Sequence, residues 1–143
     1  MSFANCLIVM AGGALGTLAR YVVSVLALPI SRDLPWGTIL INVVGSFVIG
    51  LFGTLTLARG RYPLPEEVRL LVMIGFCGGF TTFSSFSLQT LDLLREGAML
   101  RAAVNVAASV ALCVGAVAAG HAVAAQLNGG AERIAQVRIE EEG

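Results

Sequence analysis

Residues 75–87 of this chain read GFCGGFTTFSSFS, and this stretch decides how the chain can fold. It lies within a long apolar segment, yet it contains three glycines, five hydroxyl side chains and four phenylalanines. Glycines and unpaired hydroxyls are unfavourable in hydrocarbon unless protein or a cavity satisfies the backbone groups that they free. The stretch therefore indicates either a site that binds or conducts something, or very tight packing against another helix.

Composition and length identify an integral membrane protein. Of the 143 residues, 57% are hydrophobic and only 13% are charged, which is not typical of a soluble domain. A membrane-spanning helix needs about 20 mainly apolar residues. We therefore predict an all-α membrane protein with one transmembrane domain over residues 1–128 and a polar C-terminal tail over 129–143. The four spanning helices are predicted at residues 6–30, 36–58, 66–95 and 101–127.

The distribution of charged residues gives only a weak signal for the orientation of the chain in the membrane. The net charge is zero, which argues against nucleic acid as a partner. Four spans would place both termini and the second loop on one side, and charge bias between the two sides sets orientation. The arginines near the membrane are balanced, with three on each side: Arg59, Arg61 and Arg69 against Arg32, Arg95 and Arg101. One interpretation is that the chain inserts in both directions.

The first predicted helix carries a close-packing face and a deep positive charge. Gly12 and Gly16 form a Gly-x-x-x-Gly face that lets another backbone approach closely. Arg20 lies at a depth where an arginine costs about 2.5–3.5 kcal/mol to insert. Its side chain either extends to the interface, or it lines a water-filled vestibule where it would attract anions.

Amide and hydroxyl side chains on the second and fourth helices leave two interpretations open. An amide that faces lipid would have no hydrogen-bond partner, so Asn42 faces either protein or a pore. In the first case it would form an interhelical contact worth about 0.6–2 kcal/mol. Asn105 and Ser109 lie one turn apart on the fourth helix. Such a pair more often joins helices than forms a binding track.

The third helix is longer than one straight span requires. An interruption at Gly78–Gly79 would divide it into two half-helices that meet near the bilayer midplane, an arrangement with which transporters coordinate ions. Beyond it, Phe83 and Phe86 share a face, and Phe76 and Phe80 precede them on a similar stripe. Spacing alone predicts core packing for such a stripe. However, phenyl rings have positive edges, and edge-on rings beside hydroxyl donors could hold a small anion.

Several classes of function lack the residues that they need. No carboxylate lies deep in any predicted span, since Asp92 is near the end of the third helix, and a proton-coupled exporter normally needs one. The three cysteines have the spacing of neither a metal site nor a disulfide framework. No catalytic pair or phosphate-binding loop is evident, so we predict that the chain is not an enzyme.

These residues resemble the Fluc/CrcB family of fluoride-specific ion channels over essentially all four spans. Three motifs carry the resemblance, and the last of them is the most specific. They are Gly-x-Leu-Ala-Arg-Tyr at Gly16–Tyr21, the set Gly37, Thr38, Asn42 and Gly45, and the stretch Gly75–Ser87. The resemblance implies a small four-helix subunit that assembles as an antiparallel, dual-topology homodimer in the cell membrane. It also implies passive export of fluoride, which protects the cell from fluoride toxicity.

The resemblance also assigns roles to individual residues. It implies a structural sodium ion, required but not transported, on the backbone carbonyls of Gly78 and Thr81. It places two fluoride pores along the dimer interface, with Phe83 and Phe86 as the ring pair of each pore. The other implied pore residues are Asn42, Thr82, Ser85, Asn105 and Ser109, with Arg20 in the vestibule. Many members carry tyrosine at the position of Asn105, and Ser85 replaces a commoner threonine.

Two other classes of function stay open at this point. A small dual-topology multidrug exporter would want a carboxylate deep in the first helix, where this chain has Arg20. A packing subunit of a larger complex would explain the faces of small residues, but it would not explain the chemistry of Gly78–Ser87.

Overall fold

The computed structural model describes the backbone of residues 2–57 and 61–141, and the side chains of these residues as far as Gly129. The described part is helical throughout, with short connections. The helices are α1 (Phe3–Leu26), α2 (Trp36–Leu55), α3 (residues 66–80), α4 (Phe83–Arg95) and α5 (Met99–Glu141), with a 3₁₀ turn at Leu28–Ile30.

Four helical segments are long and apolar enough to cross a membrane, which confirms the prediction of four spans. They are Phe3–Leu26, Trp36–Leu55, Glu66–Arg95 and Met99–Gly129. The first helix ends earlier than predicted, because the proline of the following 3₁₀ turn cannot continue the α-helical hydrogen bonding. The predicted end of the second helix, at residue 58, lies outside the described residues. The fourth span does not end its helix at 127, since α5 continues through the polar segment to Glu141.

The third span consists of α3 and α4, separated by two residues in an extended conformation. After an α-helical turn at Glu66–Arg69, the segment Leu70–Cys77 has π-helical hydrogen bonding, and Gly78–Phe80 completes α3. The backbone of Gly78 is helical, with φ −64° and ψ −37°. Thr81 has φ −75° and ψ 157°, and Thr82 has φ −152° and ψ 110°. The predicted interruption at Gly78–Gly79 is therefore wrong in position, because the non-helical residues are the two threonines.

The physical reason for this shift is that glycine permits a change of direction without requiring one. Threonine is β-branched and favours extended backbone. In addition, Thr82 can begin a new helix, since its hydroxyl accepts a hydrogen bond from the backbone N–H of Ser85 at 3.2 Å. A side chain in this position is a typical N-cap.

The helices pack mainly as two pairs, α1 with α3 and α2 with α5. Both pairs depend on glycines where the backbones meet. A methyl group on Gly16 would overlap the carbonyl oxygen of Phe76, and one on Gly50 would overlap that of Val117. The predicted close-packing face of α1 is thus confirmed by its contact with α3.

Polar side chains fasten the end of α2 to its neighbours. Arg69 donates a hydrogen bond to the carbonyl oxygen of Gly53 at 3.1 Å. Asn128 accepts a hydrogen bond from the backbone N–H of Arg61 at 2.7 Å and donates to the carbonyl oxygen of Thr54 at 3.2 Å. The loop after α2 is thereby tied to α5.

The helix α4 is the least covered of the described elements. None of its residues is buried, and its contacts within the chain are mainly with α5. The side chains of Phe83 and Leu88 are 78% and 60% exposed. An apolar face of α4 is therefore left for lipid or for another protein.

We expect Gly16→Ala to destabilise the protein by about 1–3 kcal/mol, because the added methyl must push α1 away from α3. Gly115→Ala is the matched control, since a methyl at that helical position meets nothing within 4 Å. Thermal unfolding in detergent would compare the two variants with the wild type. Equal melting temperatures for the two variants would contradict the close approach of α1 and α3.

Candidate functional site

A groove of about 430 Å³ opens beside the two extended threonines. Residues from α2, from α5 and from both halves of the third span line it, and all of its lining side chains are uncharged. It brings together most of the predicted site residues, namely Asn42, Gly78, Thr81, Thr82, Phe83, Phe86 and Ser109. Arg20, Ser85 and Asn105 lie outside its lining, and each contacts the groove's framework in a different way.

Arg20 is directed at the interruption between α3 and α4. Its Nη1 donates to the carbonyl oxygen of Thr81 at 3.5 Å, the outer limit of a hydrogen bond. It lines neither the groove nor a second cavity of about 330 Å³ near the loop that follows α1. The arginine therefore adds a positive charge beside the extended residues, outside the lining of the groove.

Asn42 forms hydrogen bonds with both polar backbone groups of Thr82. Its Oδ1 accepts a hydrogen bond from the Thr82 N–H at 2.7 Å, and its Nδ2 donates to the Thr82 carbonyl oxygen at 3.0 Å. One turn further along α2, Gly45 leaves room for the side-chain methyl of Thr81, which a larger residue would displace. The spacing of Asn42 and Gly45 is thus explained by their contacts with Thr81 and Thr82.

Thr82 also connects the residues that Asn42 holds to the start of α4. Its side chain is 7% exposed, and its hydroxyl donates to Ser85 Oγ at 3.0 Å while accepting the Ser85 N–H. Because the Thr82 proton is used in this bond, the hydroxyl of Ser85 keeps its own proton for another acceptor.

The four phenylalanines of the central stretch form two separate pairs. Phe83 and Phe86 lie with ring centroids 5.3 Å apart and planes tilted by 45°, and both rings line the groove. Phe76 and Phe80 stack at 5.9 Å with planes 11° apart, and Phe80 is buried. The predicted shared face of Phe83 and Phe86 is confirmed. Phe76 and Phe80, however, are not part of the same stripe in the groove.

Asn105 joins α5 to α4. It is fully buried, and its Nδ2 donates to Thr90 Oγ1 at 2.8 Å. Thr90 gives its only hydroxyl proton to the carbonyl oxygen of Phe86 at 2.8 Å, so it must accept from the amide, and this fixes the orientation of Asn105. Among the described residues, the amide oxygen of Asn105 has no hydrogen-bond partner. Ser109, one turn later, is also buried and lines the groove.

Two residues that the sequence patterns did not single out contribute to this site. Thr90 supports both Asn105 and the backbone of Phe86, and its position one turn after Phe86 is the pattern that would have identified it. Ser46 lines the groove beside Gly45. No pattern of spacing distinguishes it from the other small residues of α2.

Residues 7–121 match the protein family described as "CrcB-like protein, Camphor Resistance (CrcB)". The chain is 78% identical over 143 residues to the fluoride-specific ion channel FluC of Methylobacterium radiotolerans, with all of both chains covered. It is 72% identical over 143 residues to the protein of the same name from Gluconobacter oxydans, with 99% of each chain covered. A third relative with this name, from Methylocella silvestris, is 57% identical over 121 residues, which cover 84% of this chain and 92% of the relative.

We expect Thr90→Val to lower the free energy of unfolding by about 1–3 kcal/mol, because it leaves the buried Asn105 amide without its acceptor. Thr90→Ser keeps the hydroxyl and should stay close to the wild type. Thermal unfolding in detergent would measure both variants. A loss in Thr90→Ser with none in Thr90→Val, which keeps the methyl group, would mean that the methyl group of Thr90, and not its hydroxyl, joins α4 to α5.

Proposed function

The chain belongs to the CrcB-like family, as its motifs predict, and from this premise we propose that it is a fluoride-specific ion channel of the cell membrane. Its relatives carry that name, and ion channels are not enzymes. The channel would let fluoride leave the cell passively, down its electrochemical gradient. Hydrogen fluoride enters cells as a neutral molecule in acidic surroundings and then dissociates. The exit path would thereby protect the cell from fluoride toxicity.

The observation that carries this proposal is the pairing of Phe83 and Phe86 in a groove that also presents hydroxyl groups. Fluoride is small and strongly hydrated, so a pore must replace its water with hydrogen-bond donors and positive ring edges. Thr82 does not take the hydroxyl proton of Ser85, and the hydroxyl of Ser109 belongs to a residue that lines the groove. These neutral groups favour binding that is strong enough for entry and weak enough for release.

We propose an antiparallel homodimer as the functional assembly. The groove is partly open, and α4 presents an apolar surface, with exposed Phe83 and Leu88, that the described helices do not cover. A second copy would close the groove and bury this face. The equal numbers of arginines near the membrane on the two sides fit a subunit that inserts in both directions. Two copies related by a two-fold axis would form two equivalent pores.

The backbone around the interruption has the chemistry for a structural sodium ion. Among the described residues, no backbone N–H donates to the carbonyl oxygen of Gly78. Within the part of the chain that the structure describes, the carbonyl oxygen of Thr81 receives only the long contact from Arg20. Hard cations are bound by backbone carbonyl oxygens. Gly78 and Thr81 from two copies would supply four such oxygens at the dimer centre, and the ion would add positive charge there.

We expect the purified protein in liposomes to release fluoride, and Phe83→Ile or Phe86→Ile to reduce the flux by roughly tenfold or more. Losing a ring-edge contact of about 1.4 kcal/mol changes a rate by that factor. A fluoride electrode would measure efflux from vesicles loaded with fluoride or chloride salts. Phe3→Ile is the matched control, since Phe3 is 79% exposed, as Phe83 is at 78%, but lies outside the groove.

Three results would contradict this proposal. Absence of fluoride efflux from the wild type would exclude the channel function. Equal passage of chloride would exclude fluoride specificity. Normal flux in both phenylalanine variants would remove Phe83 and Phe86 from the pore.

We expect fluoride flux to fall when sodium is replaced by N-methylglucamine on both sides of the membrane. The carbonyl oxygens of Gly78 and Thr81 would then lose the cation that holds them together across the dimer. Efflux and the mass of the particle in detergent would be measured after extended dialysis. Undiminished flux and an unchanged dimer without sodium would show that the ion is not required.

A further inference from the structure

Two hydrogen bonds join the side chain of Asn42 to the backbone N–H and carbonyl groups of Thr82. We propose that Asn42 is a positioning residue, which keeps the N–H of Thr82 away from Gly78 and so leaves the Gly78 carbonyl free to bind a cation. It acts on fluoride conduction through this backbone. The proposal rests on the proposed channel function and its sodium site.

The first step concerns the hydrogen bond that the Thr82 N–H does not make. In an uninterrupted α-helix this N–H would donate to the carbonyl oxygen four residues earlier, which is that of Gly78. It donates instead to Asn42 Oδ1 at 2.7 Å. The preceding N–H, of Thr81, keeps its helical bond to Cys77 at 2.9 Å. The helical ladder therefore stops at the residue that Asn42 contacts.

The second step concerns the residue type. Thr82 is 7% exposed, and a buried N–H or carbonyl group needs a partner. A carboxamide can accept from the N–H and donate to the carbonyl of the same residue, as Asn42 does with Thr82. A carboxylate can only accept, and leucine, of similar size, can do neither. Asparagine thus satisfies both groups of Thr82 within an apolar span.

The third step concerns the helix α2, which carries Asn42. The helix α2 packs extensively against α5, and the neighbouring Ile41 is 1% exposed. One turn further along, Gly45 receives the methyl group of Thr81. The position of Thr82 is thereby set by α2 rather than by its own helix. Thr82 lies between the carbonyl of Thr81 and the ring of Phe83. The two hydrogen bonds from Asn42 to Thr82 therefore position both groups.

The experiment measures sodium binding without fluoride. Wild type and Asn42→Leu are unfolded thermally in detergent over a series of sodium concentrations. We expect the sodium concentration for half-maximal stabilisation to rise by about tenfold in Asn42→Leu, because two hydrogen bonds to Thr82 are lost and its N–H can return to Gly78. Asn42→Asp keeps the acceptor for this N–H, so its half-maximal concentration should be no higher than that of the wild type.

Asn128→Leu is the matched control. Asn128 also bridges two backbone groups, those of Arg61 and Thr54, but it lies far along α5 from the groove. Its loss should lower the melting temperature without changing the half-maximal sodium concentration. If Asn42→Leu does not fold, Asn42→Gln retains the amide one methylene further out. This variant should show a smaller rise in the half-maximal concentration.

Fluoride efflux from liposomes at increasing sodium then separates a positioning residue from a pore ligand. A positioning role predicts that Asn42→Leu recovers most of the wild-type flux at saturating sodium. Lost flux with an unchanged sodium requirement would overturn the proposal and make Asn42 a direct ligand. A wild type that sodium does not stabilise would overturn it as well. A wild type without fluoride flux, but with the expected sodium shifts, would reject the channel function and keep the role of Asn42.

Discussion

A backbone that leaves the helix inside an apolar span must find its hydrogen-bond partners within the protein. At Thr82 it finds them on Asn42, and at Thr81 the carbonyl receives Arg20. The hydroxyl of Thr82 then begins α4. Since Phe83 and Phe86 follow immediately, the groove and its ring pair exist only because these two extended residues are supported from α1 and α2.

Close packing of the helices makes this support possible. Asparagine has a short side chain, so it reaches the backbone of another helix only where the two helices nearly touch. Gly45 provides that proximity, since a larger residue would collide with Thr81, and Gly16 brings the backbone of α1 against α3 in the same way. The glycines and the polar side chains of these helices are therefore parts of one arrangement. The glycines bring the helices close together, and the polar side chains form their hydrogen bonds across that short distance.

The sequence predicts the four spans because hydropathy and length suffice for them, and it predicts that Phe83 and Phe86 share a face because they are three residues apart. It also predicts an interruption of the third span within Gly75–Ser87, although at Gly78–Gly79. It does not identify the interrupting residues, because glycine permits both outcomes and the decision lies in the contact of Thr82 with Asn42, 40 residues away. No periodicity encodes such a pairing. The same limit applies to Asn105, whose partner Thr90 lies on another helix.

The distribution of charge follows from what a pore for a strongly hydrated anion needs. A full positive charge on the wall would hold the anion firmly at low dielectric, and a carboxylate would repel it. The side chains that line the groove are uncharged, and the guanidinium of Arg20 lies outside this lining, directed at the carbonyl of Thr81. In the proposed channel, the nearby positive charge would attract fluoride while ring edges and hydroxyls bind it. Attraction and release would thus be assigned to different residues, which is a condition for conduction rather than storage.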